Sequence, residues 1–221
     1  MDLTAELAEI SGTLIGDGCL CRFWANYDHR LRHLVVFTGS SDEITYYVNF
    51  VQPVIKNYFG ARGRPFIRTY KGKKSTRYYI TSQLVFDFFK ELGIPVGKKS
   101  STVFIPEPIF HDKELLRSCL RGMWDTDGSI YRVYSKIYKG QSRCYDKQLA
   151  MQYKTVSETL AFQMKAALEQ FSIKTNKIGR NGTSFVIRIT AQSEIQKFLD
   201  TIGFRNQHHL KRLASFRSTS V

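Results

Sequence analysis

From Leu3 to Ile15 apolar residues recur at three- and four-residue intervals, the spacing of one buried helix face. Gly18 stands where a C-terminal cap would end that helix. Beyond it the period shortens to two. Cys19 to Trp24 and Leu31 to Thr38 are rich in aromatic and β-branched residues and flank the polar stretch Ala25 to Arg30, which predicts a hairpin. Ser41 is placed to cap a helix running toward Tyr58, with Asp42 and Glu43 in its first turn, where acids suit the positive helix end. A second hairpin is expected from Arg64 to Tyr70 and Ser75 to Thr81, and then a helix from Gln83 to Glu91.

The same order of elements starts again after residue 110. Ile10-Ser-Gly-Thr-Leu-Ile-Gly-Asp-Gly18 is matched by Leu120-Arg-Gly-Met-Trp-Asp-Thr-Asp-Gly128, which lays Gly12 on Gly122 and Asp17 on Asp127 at an offset of 110. Ser41-Asp-Glu-Ile is echoed by Ser157-Glu-Thr-Leu, Tyr79-Ile-Thr-Ser-Gln83 by Arg188-Ile-Thr-Ala-Gln192, and Leu92-Gly-Ile by Ile202-Gly-Phe. Helices are therefore expected near Lys113 to Thr126, Ser157 to Phe171 and Ser193 to Thr201, with strands between them. Three of the five prolines fall between Gly93 and Pro108. The chain divides accordingly into a first repeat, 1–94, a linker, 95–112, and a second repeat, 113–221. The fold class is α+β, built from two αββαββα repeats.

Charge then names a partner class. Against 19 acids stand 33 Lys and Arg, a net charge of +14, which points to a polyanion. The four cysteines, Cys19, Cys21, Cys119 and Cys144, show no C-x-x-C pair or zinc-type spacing, so a reducing, intracellular setting is expected. That setting is the cytoplasm if the source is prokaryotic. No apolar run approaches the roughly 18 residues of a membrane span, and acids in Met1 to Glu9 replace the bases of a leader.

A lone Asp-Gly usually marks a turn, but here two copies close two helices. A carboxylate in a last helical turn meets the negative end of the macrodipole, at a cost of about 0.3 to 1 kcal/mol when exposed. Asp17 and Asp127 are therefore costly without a cation. Gly12-x-x-x-Gly16 and Ser118-x-x-x-Gly122 put small residues one turn apart, as close helix packing requires. If those faces meet, both carboxylates reach one cleft. Paired carboxylates, carbonyls and water suit Mg²⁺.

These motifs resemble those of the LAGLIDADG homing endonucleases, in particular the single-chain members with two motifs. Ile10 to Gly18 keeps the central glycine and terminal Asp-Gly of the nine-letter name, and Leu120 to Gly128 follows it closely. The resemblance implies a saddle of two four-stranded antiparallel sheets with DNA lying in it. It also implies a monomer that binds a long double-stranded DNA site and cuts both strands with a stagger by Mg²⁺-dependent hydrolysis, Mn²⁺ being able to substitute. Asp17 and Asp127 take the ligand role, and the carbonyls of Gly16 and Thr126 are further ligands. Asp125, whose counterpart is Ile15, serves packing or capping instead. A basic residue near each metal is implied as well. Lys99 matches the pattern in the first repeat, while the second has His208 and His209 there and Lys211 slightly beyond. At the strand end before the middle helix, Lys154 is the one candidate, since the first repeat reads Thr38-Gly39-Ser40. The rival functions are an RNA maturase assisting intron splicing and a catalytically silent DNA-binding protein.

A β-ribbon fits the major groove and presents alternate side chains to base edges. Arg30, Arg32, Arg68, Tyr70, Arg77, Tyr79, Gln148, Gln152, Arg180 and Arg188 occupy phases that the resemblance turns toward DNA. Arg22, Arg132, Tyr134 and Lys136 are expected to join them near strand ends. The turns with Lys71, Lys73, Lys139 and Arg143 are expected to contact phosphates, which set register without reading sequence.

Overall fold

The computed structural model describes residues 2–26, 28–70, 72–133, 136–138, 141–143 and 148–218. Its first helix, α1, spans Ala5–Asp17, so it starts and ends two residues later than Leu3 to Ile15. Thr4 sets the start: its hydroxyl accepts the Leu7 N–H at 3.4 Å. At the other end Gly18 is extended (φ −100°, ψ 170°), not left-handed, and already opens strand β1, Gly18–Ala25. Glycine is required there for space, because a Cβ would fall 2.6 Å from the Leu14 Cα. Gly128 is held by the same constraint, 2.4 Å from the Trp124 carbonyl oxygen.

β1 pairs with β2, Arg30–Ser40, and β3, Gly63–Tyr70, with β4, Lys73–Thr81, in one antiparallel sheet of order β1-β2-β4-β3. Between β2 and β3 the expected single helix is broken into a 3₁₀ turn, Ser41–Glu43, a short α2, Ile44–Tyr46, a π turn, Tyr47–Val51, and α3, Gln52–Phe59. Pro53 gives the reason: it lacks the N–H that a regular ladder needs, and a widened turn absorbs the fault. Ser40, not Ser41, caps this segment, its N–H donating to the Glu43 carboxylate at 2.5 Å. α4, Gln83–Glu91, closes the first unit, and a short α5, Glu107–Phe110, interrupts the connection to the second.

α6, Lys113–Thr126, starts from Asp112, whose carboxylate accepts the N–H groups of Glu114 and Leu115 at 2.9 Å. The strands that follow are β5, Gly128–Arg132, a small hairpin of β6, Lys136–Tyr138, and β7, Gln141–Arg143, and then β8, Leu149–Thr155. After α7, Glu158–Gln170, come β9, Gly179–Asn181, β10, Ser184–Ile189, and α8, Gln192–Thr201. The second sheet has the order β5-β8-β10-β9, the pattern of the first. An unexpected final helix, α9, Gln207–Ser218, follows.

α1 and α6 cross in contact. A Cβ on Gly12 would stand 2.0 Å from the Cys119 carbonyl oxygen, and one on Gly122 would stand 2.0 Å from that of Glu9. Each glycine thus meets the residue three before the other glycine, which is the mark of twofold pairing at the crossing. The two glycines admit the partner's backbone rather than each other. Around them Leu7, Ile10, Leu14, Leu116, Leu120 and Met123 are fully buried in a core that continues into both sheets. Buried charge at the same interface is satisfied. Glu9 accepts from Arg205 Nε at 2.5 Å and from Arg121 Nη1 at 3.3 Å, and the Arg205 guanidinium lies 4.3 Å over the Phe50 ring.

Gly12→Leu or Gly122→Leu should therefore cost about 3 kcal/mol of stability through overpacking against backbone that cannot yield. Gly182→Ala, at a turn with φ 60° and open space around it, should cost only about 1 kcal/mol. Chemical denaturation measures both, and equal losses would contradict the crossing.

Candidate functional site

Both acids stand at the C-terminal ends of the crossed helices. Asp17 is the last residue of α1, and Asp127 follows α6 with its N–H on the Met123 carbonyl at 3.0 Å. Gly16 lets them meet: a Cβ on it would lie 2.1 Å from Thr126 Oγ1 and 3.4 Å from Asp127 Oδ2. Asp17 is half-buried. Asp127 opens to solvent on one side while the helix ends and sheet enclose it on the others. Burial raises the Asp17 carboxyl to about 7, helped by the negative charges of Asp127 and Glu43 and opposed by Lys99. Burial also raises Asp127, to about 6, against Lys99 and a hydrogen bond from the Tyr153 hydroxyl at 3.5 Å. For both acids burial outweighs the one cation that acts on each, Lys99.

Lys99 approaches from outside the helices. The connection after α4 runs beside β1, Gly97 N–H donating to the Leu20 carbonyl at 2.8 Å, and this delivers Lys99 to the end of α1. Its ammonium donates to the carbonyls of Ile15 and, at 2.9 Å, Gly16. A cation on those orphan carbonyls counters the negative helix end. Burial lowers the Lys99 pKa, and Asp127 and Asp17 oppose that shift.

His209 occupies the matching place in the second repeat, eight residues past α8 as Lys99 is past α4. It hydrogen-bonds the Asp125 main chain, the counterpart of Ile15, and stacks on Phe204 at 4.6 Å. Burial first, then His208, lowers its pKa to about 4, so this end of α6 carries a neutral ring where α1 has an ammonium. His208 and Lys211 lie apart from the acids, in a groove with Asp42, Thr45 and Arg212. Lys154 lines a cavity of about 260 Å³ together with Gly16, Lys99, Asp127 and Ser184. The strand register puts Thr38 in the Lys154 position of the first repeat, since Gly18 faces Phe37 and Gly128 faces Tyr153. Thr126 turns its hydroxyl back to the Gly122 and Met123 carbonyls at 3.0 Å.

Asp125 is buried and points away from the other acids. Its carboxylate accepts the Arg205 N–H at 3.0 Å and the Asn206 N–H at 3.1 Å, holding the segment that leads into α9. Sequence reasoning missed Glu43 in this setting. Its charge reaches both acids, and its other oxygen accepts from Asn206 Nδ2 at 3.3 Å. The signal available was Gly39, whose missing side chain leaves the space that Glu43 Oε2 fills. Among the described residues no three His, Cys, Asp or Glu side chains converge as a metal cage. The donor set is two carboxylates with main-chain carbonyls nearby, which suits a hard ion that keeps much of its water.

Each sheet buries one face against helices and leaves the other open. On the open face of the first sheet the register places Arg30 and Arg32 on β2, Arg77 and Tyr79 on β4, and Arg68 on β3. Arg188 and Gln152 share the open face of the second, and Gln148 precedes β8 in the same phase. Three expectations are corrected. Arg22 has the phase of buried Leu20 and emerges on the helix side, where the core has run out. Arg132 also lies on the helix side, donating to the Phe216 carbonyl of α9 at 2.7 Å. Arg180 pairs with Phe185, covers its ring at 4.2 Å and faces Glu158 of α7 at 3.9 Å. Neighbours on the helix side claim Arg132 and Arg180. Lys71, Tyr134 and Lys139 lie outside the described residues. Tyr70 and Lys73 pair across the β3–β4 turn, as Lys136 and Arg143 do across the small hairpin.

Known proteins share part of this sequence and the whole of this fold. Residues 114–203 match the family model described as LAGLIDADG-like domain. The fold is that of I-DmoI, a homing endonuclease solved in complex with DNA and Mn: TM-score 0.62, 15% identity, 90% of this chain and 96% of that one covered. The resemblance read from the two Asp-Gly motifs is thereby shown. Full-length DUF199/WhiA from Thermatoga maritima shares the fold at TM-score 0.56 and 15% identity, over 100% of this chain and 63% of that one. In sequence, the chain is 29% identical over 212 residues to the replication factor C small subunit of Methanocaldococcus jannaschii, covering 96% of this chain and 10% of that protein. It is 27% identical over 225 residues to the replicative DNA helicase DnaB of Nostoc sp., covering 95% of this chain and 23% of the helicase. It spans less than a quarter of either relative. Among the described residues no helix is long and apolar enough to cross a membrane.

The raised carboxyls set a pH dependence. Asp17, Asp127 and Asp125, the last raised by burial to about 7, hold protons in the folded chain that the unfolded chain releases near 3.8. Between those values the folded state binds more protons, so stability falls as pH rises. His209, lowered from 6.5 to about 4, acts oppositely, but one imidazole stands against three carboxyls. The melting temperature in EDTA should therefore drop from about pH 5 to about pH 7.5, and Asp17→Asn should flatten the drop. Divalent ions should stabilise more at the higher pH. A melting temperature that is flat across this range, with or without metal, would contradict the burial of the acids.

Proposed function

We propose that the chain is a site-specific DNA endonuclease of the homing type. In this reading it binds a long, partly asymmetric duplex site as a monomer and makes a staggered double-strand break. Residues 1–94 and 113–221 are the two half-site repeats, joined by 95–112. The observation that carries the reading is the meeting of Asp17 and Asp127 at the ends of two helices whose glycines let them touch. A structural crossing needs the glycines but not the acids, whose carboxyls are held above their ordinary range. Structures of I-DmoI with DNA and Mn, Ca or Mg support a divalent ion and duplex DNA as the partners.

Asp17 and Asp127 would hold Mg²⁺, or Mn²⁺ in its place, with the carbonyls of Gly16 and Thr126 as further oxygen donors. When bound, such ions activate water and stabilise charge at the scissile phosphate. The chain's own residues do the rest. Lys99 neutralises the carbonyl end of α1 and sits beside both acids. Lys154, exposed in the same cavity, offers positive charge to a phosphate on the second-repeat side. The Tyr153 hydroxyl fixes the orientation of Asp127. Arg30, Arg32, Arg68, Arg77, Tyr79, Gln148, Gln152 and Arg188 supply the DNA surface.

A silent DNA-binding protein is the second reading, favoured by the likeness to WhiA, whose name carries no nuclease. Plasmid nicking separates the two. Asp17→Asn or Asp127→Asn should lower double-strand cleavage by at least about 100-fold while duplex affinity stays within a few-fold, since the amide keeps the shape and loses the charge. Cleavage near the wild-type rate in either variant would overturn the assignment. A wild-type chain that binds duplex and never cuts it in Mg²⁺ or Mn²⁺ would support the silent reading.

A further inference from the structure

The open face of the first sheet is not uniformly polar. Phe23 on β1 and Phe66 on β3 are 48% and 54% exposed there, on the side away from the core. Neither ring belongs to the core cluster. Each has an arginine directly across on the neighbouring strand, in the same phase: Phe23 faces Arg32, and Phe66 faces Arg77. Phe66 is also flanked along its own strand by Arg64 and Arg68, and Tyr79 accepts from Arg77 Nη1 at 3.3 Å. The acid seen near this face, Asp28, is engaged by Arg32 at the hairpin tip.

Such a surface is cationic with two apolar knobs. An acidic or apolar protein partner would match one of these properties and waste the other. The DNA major groove matches both, because the thymine 5-methyl is its apolar feature and guanine O6 and N7 accept from arginine. Among the described residues of the second sheet, no exposed phenylalanine stands across from an arginine: its open face carries Ser129, Gln152, Lys154 and Arg188, with Val186 buried and one half-buried aromatic, Tyr131, opposite Ala150.

We propose that Phe23 and Phe66 read thymine methyl groups in the half-site bound by the first sheet, each beside a purine edge contacted by its cross-strand arginine. This inference rests on the DNA-binding reading above and adds to it a base preference and the residues that set it. The half-site under the first sheet is then selected partly through apolar contact, and that under the second through hydrogen bonds.

The test starts with selection of duplexes from a randomised library by the full chain in EDTA, so that binding is read without cutting. The selected duplex is then remade with deoxyuridine at each thymine in turn, which removes only the methyl. At two positions of one half-site the exchange should weaken binding about four-fold, the equivalent of about 0.8 kcal/mol. Phe66→Ala should abolish the thymine-to-uracil difference at one of these positions and Phe23→Ala at the other, with unchanged melting temperatures because both rings are exposed. If duplexes are selected but uracil binds as well as thymine throughout, or if the alanine variants keep the full difference, this inference fails and the DNA-binding reading stands. If no duplex is enriched at all, both fail together.

Discussion

Two helices can bring their backbones into contact only where side chains are absent, and two residues here meet that condition. Gly12 and Gly122 each receive a carbonyl of the other helix at a spot where a Cβ would stand 2.0 Å away. Everything at the site depends on that approach. It fixes the ends of α1 and α6 beside each other, lets Gly16 close on Thr126, and leaves Asp17 and Asp127 no place except the floor between the two sheets. The strands inherit the same constraint, since Gly18 and Gly128 turn straight out of the helices into β1 and β5.

The electrostatics follow from the packing. Helix ends pressed together concentrate unsatisfied carbonyls, and the acids add charge of the same sign. The chain answers differently on its two sides. α1 receives the ammonium of Lys99, whereas the end of α6 receives the neutral His209 ring and the Asn206 amide. Glu43 adds a third negative charge on the first-repeat side of the pair. Overall symmetry of fold thus carries an asymmetry of chemistry, and the unmet negative charge that remains is the physical case for a divalent cation.

The elements with strong periodicity were legible in the sequence. α4 and α6 fall at the residues that the pattern predicts, and the duplication is mirrored in the one strand order that both sheets share. What escaped had tertiary causes. The break at Pro53 escaped because a proline deep in an amphipathic pattern does not disturb the pattern itself. α9 was missed because its two neighbours, the Arg132 side chain and the Asp125-held segment, make it helical by docking rather than by periodicity. At the site, Asp17, Asp127, Lys99 and Lys154 come together from distant parts of the chain. Arg22, Arg132 and Arg180 did not fit, because a period of two gives a phase but not which face a strand end keeps. Glu43 escaped because its place is vacated by a glycine four residues earlier.

In the proposed reading the helix crossing holds a divalent ion between Asp17 and Asp127. Crystals of the chain grown with Mn²⁺ and a duplex, measured at the manganese absorption edge, locate the ion directly. Anomalous peaks are expected within coordinating distance, about 2.0 to 2.2 Å, of both the Asp17 and the Asp127 carboxylates. Strong peaks elsewhere, with these two carboxylates bound only to protein groups or water, would contradict it.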